Sequence, residues 1–174
     1  SSHQAAMVFQ VIVPRQLPEI VAGRHKIVFI YQSKAAFAQT NRKPWLDSIK
    51  TDAGYAQVAG VELTLLDSTR YFRKAAGLNG AAQIVHDLGG KAKPRILAEA
   101  AAFYENSAVR RLGYLLEHFG HKRQADALTP CAAKAKSFKE LDPSVRQIGA
   151  LADPEPKRNF KWKLLLNEIV EIDT

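Results

Sequence analysis

His118 and His121, three positions apart, are the nearest approach to a metal-ligand spacing in this sequence. Only a continuous helix would put both on one face, and the intervening Gly120 is expected to end the helix there. His3, His25 and His86 are isolated. Cys131 has no second cysteine at metal or redox spacing and no activating base beside it, so an idle thiol is expected. Asp67 with Asp87 or Glu99 would form an acid–base pair only if folding brought them together. Phosphate-loop, dinucleotide-binding, zinc-protease and C-x-x-C patterns are all missing from the sequence. No catalytic residue, metal ligand or cofactor is therefore expected.

The remaining chemistry is cationic. Lysine and arginine number 25 against 17 acids, a formal charge of +8. Such a balance favours phosphates or an acidic protein face, through the summed field of the molecule. The cations come in small groups: Arg42-Lys43, Arg70 with Arg73-Lys74, Lys91-Lys93-Arg95, Arg110-Arg111, Lys122-Arg123, Lys134-Lys136 and Lys157-Arg158. No helix-turn-helix, zinc finger or aromatic RNA-binding pattern accompanies them, so contact with nucleic acid is expected through phosphates. Helical spacing puts Arg70, Arg73 and Lys74 on one exposed face. Arg110 and Arg111 are expected where a buried stripe meets solvent or a partner, and Lys122 and Arg123 follow the Gly120 turn. These seven are the expected residues of contact with a partner protein or nucleic acid.

The elements that must position them read as early strands, a helical middle and a late strand. Val8–Val13, stopped by Pro14, and Lys26–Tyr31 are β-branched and aromatic, and the loop between them predicts antiparallel neighbours. Gln39 to Ala53 reads as polar, and Tyr55–Val58 and Val61–Leu63 as short strands about Ala59-Gly60. Thr64, with Asp67 three positions on, predicts the cap of a helix closed by Gly77. Further helices are expected over about 81–88, over 95–104 behind Pro94, from Asn106-Ser107 to Gly120, and over about 123–136 with a break or kink at Pro130. In the fourth, Val109, Leu112, Leu115, Leu116 and Phe119 make a buried stripe. Gly113 within it costs about 1 kcal/mol relative to alanine, which predicts a close-packed neighbour. Phe160, Trp162, Leu164 and Leu166 alternate with Lys161 and Lys163 as a half-buried strand, which Ile169–Ile172 extends.

At 174 residues, 47% hydrophobic and 24% charged, the chain has the composition of an ordinary folded domain. The expectation is a single α+β domain over 1–174. A small mixed or antiparallel sheet of early strands plus a late strand packs against four to five helices. Its expected core comprises Phe9, Val11, Ile27, Phe29, Leu65, Phe72, Leu112, Leu116, Phe119, Trp162 and Leu164. One cysteine and no visible leader point to a reducing cytoplasm, and no apolar run reaches the ~20 residues of a membrane span. Residues 1–7 carry no weight in this reading, being expected as a tag remnant or a trimmed start.

Two segments, Val61–Asp67 and Val109–Glu117, resemble parts of AbiEi-type antitoxins, the antitoxins of bacterial type IV toxin–antitoxin systems. Val61-Glu62-Leu63-Thr64-Leu65-Leu66-Asp67 is similar to that family's T-L-L-D helix start. Val109-Arg110-Arg111-Leu112-Gly113-Tyr114-Leu115-Leu116-Glu117 is similar to its R-L-G-Y-L-L-E helix. Leu141-Asp142-Pro143 and the series Asn159, Trp162, Leu164, Asn167 follow in the same order. Leu63 stands where family members often carry arginine. The resemblance implies a non-enzymatic C-terminal domain that neutralises a cognate nucleotidyltransferase toxin, directly or functionally, in a system of abortive infection and phage resistance. It also implies a transcriptional autoregulator whose N-terminal winged helix-turn-helix binds DNA. That module has no counterpart in these residues, so the chain is expected to be a C-terminal fragment or a member without it. A basic regulatory domain making phosphate contacts with DNA is the other reading.

Overall fold

The computed structural model describes residues 8–71, 77–145 and 156–172. Those residues form an α+β fold of small sheets and a helical core. The chain divides into two compact units, Ser1–Arg42 and Lys43–Thr174.

The first unit holds strands β1 (Val8–Val13), β2 (Ile20–Ala22) and β3 (His25–Tyr31) in the order β1-β3-β2. β1 runs parallel to β3, with Phe9 opposite Ile27 and Val11 opposite Phe29, which corrects the expected antiparallel pairing. The physical reason lies in the connection. Gly23, at φ +62°, turns the chain tightly from β2 into β3, so a strand inside the supposed loop makes the hairpin. β1 takes the other edge of β3. The register puts Phe9 and Val11 on the sheet face opposite Ile30. Ile30 is buried, whereas Phe9 and Val11, expected in the core, are 45% and 39% exposed. Helix α1 (Lys34–Thr40) is an addition to the expected elements; Ser33 Oγ accepts the Ala36 N–H at its start, 3.2 Å away.

In the second unit β4 (Leu46–Thr51) and β5 (Gly54–Ala59) form an antiparallel hairpin. The expected strand Val61–Leu63 is instead the first turn of α2 (Val61–Arg70). Gly60, expected in a turn between strands, precedes that helix and donates to the Trp45 carbonyl at 2.8 Å. A Cβ on Gly60 would stand 3.0 Å from the same oxygen. Thr64 is therefore inside the helix, its hydroxyl donating to the Gly60 carbonyl at 2.9 Å.

α3 (Gly77–Leu88) ends at a 3₁₀ turn, Gly89–Lys91, and α4 (Pro94–Ala101) starts on Pro94 as expected. α5 (Asn106–His118) is followed by Gly120 at φ +81° and then by α6 (Lys122–Ala133). α6 runs through Pro130 without the expected break. Proline lacks the N–H that would serve the Asp126 carbonyl, and the Thr129 hydroxyl donates to that carbonyl instead, at 2.7 Å.

The tail departs most from expectation. β6 (Lys139–Glu140), β7 (Lys157–Asn159) and β8 (Leu164–Leu166) form a sheet in the order β6-β8-β7, separate from the early strands. Residues 160–163, read as strand, are the turn between β7 and β8. Trp162 is fully buried and Phe160 is 73% exposed, so their apparent alternation belonged to a turn. The core of this unit gathers Leu65, Leu66, Val85, Leu97, Leu112, Leu115, Leu116, Leu128, Leu141, Trp162 and Leu164. Of the expected core, Phe119 packs half-buried against it, and Phe72 lies outside the described residues.

Candidate functional site

The R-L-G-Y-L-L-E helix is a receptor for the tail of its own chain. Arg110 and Arg111, expected to face solvent or a partner, are 3% and 8% exposed. The Arg110 guanidinium donates to the carbonyls of Ser137 (3.0 Å) and Lys163 (2.8 Å), and more weakly to that of Trp162 (3.4 Å). Arg111 Nε donates to the Glu140 carbonyl at 3.1 Å. Each of these carbonyls flanks or belongs to the β6-β8-β7 sheet, whose edges leave acceptors that the guanidinium fork can satisfy. The two arginines therefore leave the exposed cationic set.

The neighbouring positions complete the lock. The Trp162 indole lies over Gly113 so closely that a Cβ there would be 2.1 Å from its Cζ3. Trp162 Nε1 donates to Glu117 at 2.6 Å, and Lys161 pairs with the same carboxylate at 3.0 Å. Burial pushes the Glu117 carboxyl up, but the Trp162 N–H and Lys161 outweigh it and hold the group below the usual carboxylate range. Arg110, Gly113 and Glu117 recur at three and four positions along one face of α5. The Asn159 side chain accepts the Trp162 N–H at 2.9 Å. Asn167 both accepts from the Asp142 N–H (3.0 Å) and donates to its carbonyl (2.7 Å).

The T-L-L-D helix carries a second network. Tyr104 donates to Asp67 at 2.6 Å. Burial pushes the Asp67 carboxyl up to about 6, against that hydrogen bond and the charge of Arg70. Arg70 is held by Glu105 at 2.7 Å and lies over the rings of Tyr71 and Tyr104, 5.3 and 5.1 Å from their centroids. Arg70 is thus already engaged and only partly exposed. Arg73 and Lys74 lie outside the described residues.

Lys122 and Arg123 are exposed in the first turn of α6. Gln124, beside them, donates to the carbonyls of Gly90 (3.2 Å) and Ala92 (3.0 Å), and His121 Nε2 lies 3.1 Å from the His86 carbonyl. A Cβ on Gly89 would meet the His121 ring at 2.5 Å. The turn carrying exposed Lys91 and Lys93 is thereby bound to the start of α6, so two of the basic groups in the sequence become one surface. Cations in a first turn oppose the helix dipole, and no acidic residue occupies that turn. Helix stability does not account for them. Lys122 also acts electrostatically on Glu117.

Among the described residues no group of three His, Cys, Asp or Glu side chains could hold a metal, and no helix is long and apolar enough to cross a membrane. The profile of a family described as the AbiEi antitoxin C-terminal domain matches residues 1–118. The chain belongs to that family. No curated protein and no solved structure matches it. AbiEi antitoxin domains are non-catalytic, and the family places this chain in the antitoxin half of a toxin–antitoxin system.

The AbiEi match contains T-L-L-D and the whole R-L-G-Y-L-L-E run, and ends at the last residue of α5. The hairpin that this helix grips lies beyond it. Gly113 was the one signal in the sequence for the AbiEi helix gripping something, and its neighbour is Trp162. Glu117, Asn159 and Asn167 were legible only as pattern letters. Their roles as hydrogen-bond partners depend on contacts 44 positions apart for Glu117 with Lys161 and 25 for Asn167 with Asp142. The pairing of His121 with Gly89-Gly90 had no sequence signal at all.

Proposed function

We propose that this AbiEi-family chain neutralises a cognate nucleotidyltransferase-type toxin in the cytoplasm, as part of a protein that also regulates its own transcription. The observation that carries the reading is the basic surface made by the Lys91–Lys93 turn with Lys122 and Arg123, the latter two set where they cost helix stability. Arg73 and Lys74 are retained in the proposed contact set, with Arg70 as a member already engaged by Glu105. Neutralisation need not pass through a stable complex with the toxin. The test is co-expression of toxin and chain with growth as the readout. Lys122→Glu with Arg123→Glu is expected to abolish protection while circular dichroism stays unchanged, because exposed substitutions shift stability by about 0.5 kcal/mol or less. Leu116→Ala is expected to lose protection by unfolding, at about 2–5 kcal/mol for a buried leucine. A folded double charge reversal that protects cells fully would sink the surface assignment and leave family membership standing.

The formal charge of +8 favours a second reading, in which the same cations add phosphate contacts to DNA held elsewhere in the protein.

A further inference from the structure

The C-terminal sheet has an outward face that the antitoxin reading does not use. Leu164 points into the core, and its register partners put Arg158 and Leu165 on the opposite face. Phe138, one position before Lys139, falls on that same outer face. The Arg158 guanidinium lies 5.6 Å from the Phe138 ring centroid, and Phe138 meets Phe160 edge-on at 5.5 Å. Arg158 is the cation of this face and exposed Lys161 stands in the turn beside it, whereas Lys139 and Lys157, opposite Leu164 and Leu166, belong to the other side of the sheet. Two carboxylates are near, Glu140 on the sheet and Glu117 already bound to Lys161 and Trp162.

The turn itself is rigid by construction. Trp162 is buried against Gly113, its N–H is held by Asn159, and Lys161 is tied to Glu117. Phe160 is the member of that turn with no such task, and it stands 73% exposed. A lone exposed phenylalanine calls for no explanation. A phenylalanine on a locked turn, edge-on to a second ring under an arginine and next to Lys161, combines a stacking surface with phosphate-neutralising charge. From that combination we infer that the Phe138–Phe160 face binds single-stranded nucleic acid, a base stacking on Phe160 and the backbone following Arg158 and Lys161. An acidic protein would use the cations but gains little from the rings, and duplex DNA keeps its base faces stacked inside.

This inference is independent of the neutralisation surface, since no residue is shared. The test uses the full chain and fluorescence anisotropy with labelled oligouridine, oligothymidine and a duplex of equal length. Both single strands, or one of them, are expected to bind more tightly than the duplex. Phe160→Ala should weaken single-strand binding about tenfold with an unchanged melting temperature. Arg158→Glu should weaken it at least as much, and Lys157→Glu, on the other side of the sheet, clearly less. Phe160→Trp should retain binding and lose tryptophan emission as bases stack, since Trp45 and Trp162 are buried. The inference is overturned if Phe160→Ala binds like the parent, if Trp at this position is not quenched, or if duplex or polyglutamate competes as well as a single strand.

Discussion

Gly113 sets two physical terms against each other. Replacing it with alanine removes a helix penalty of about 1 kcal/mol, but the new methyl would occupy the space of the Trp162 ring. The indole is rigid and its Nε1 is anchored on Glu117, so it has little room to yield. Gly113→Ala is therefore expected to destabilise by about 1–3 kcal/mol in urea unfolding, despite the better helix former. In a Trp162→Leu background the penalty should largely vanish. Equal costs in both backgrounds would show that the clash is not the cause.

Asp67 offers a second residue-scale test, through pH. Its carboxyl is raised to about 6 in the folded protein from 3.8, so the folded state holds the proton more tightly than the unfolded chain. Its contribution is then most favourable below about pH 4 and declines as pH rises through 6, reaching a cost of about 2–3 kcal/mol at neutrality. Asparagine keeps an acceptor for the Tyr104 hydroxyl and never ionises. Asp67→Asn is expected to be more stable than the parent at pH 7.5, with the gap closing towards pH 4. Parallel stability curves for the two proteins across that range would refute the assignment.

At the scale of elements, α6 carries a proline that its neighbours tolerate instead of requiring. Thr129 serves the carbonyl that Pro130 leaves unpaired, and the ring is exposed. Pro130→Ala should restore the N–H and raise stability by about 1–3 kcal/mol, visible as a higher urea midpoint with unchanged slope. A loss of stability would mean that the proline shapes the Cys131 carbonyl for Asn106, which donates to it at 2.6 Å.

For the whole molecule the governing quantity is net charge. A formal +8 in a sequence that shows no groove-reading motif predicts weak, sequence-tolerant binding to duplex DNA, with an affinity that falls steeply with salt. Titrations of operator and scrambled duplex at two salt concentrations check this. A preference for operator that survives high salt would reveal a reading element in these residues.

Much of the helical middle was legible in the sequence, because its signals are local. Pro94 starts a helix, Gly89 and Gly120 end helices, and Leu112, Leu115 and Leu116 recur with the helical period. Family membership was equally legible, since it rests on runs of adjacent residues. Strand partners were not: β1 joins β3 in parallel because of a three-residue strand too short to announce itself. Phe160 and Trp162 alternate like a strand but occupy a turn, whose geometry depends on Asn159 and on a helix more than forty positions earlier. The arginines mark the same boundary. Sequence identifies Arg110 as a cation, but its burial depends on three carbonyls that the folded tail brings within reach. A charge is a property of a residue; whether it meets water or a backbone oxygen is decided by tertiary structure.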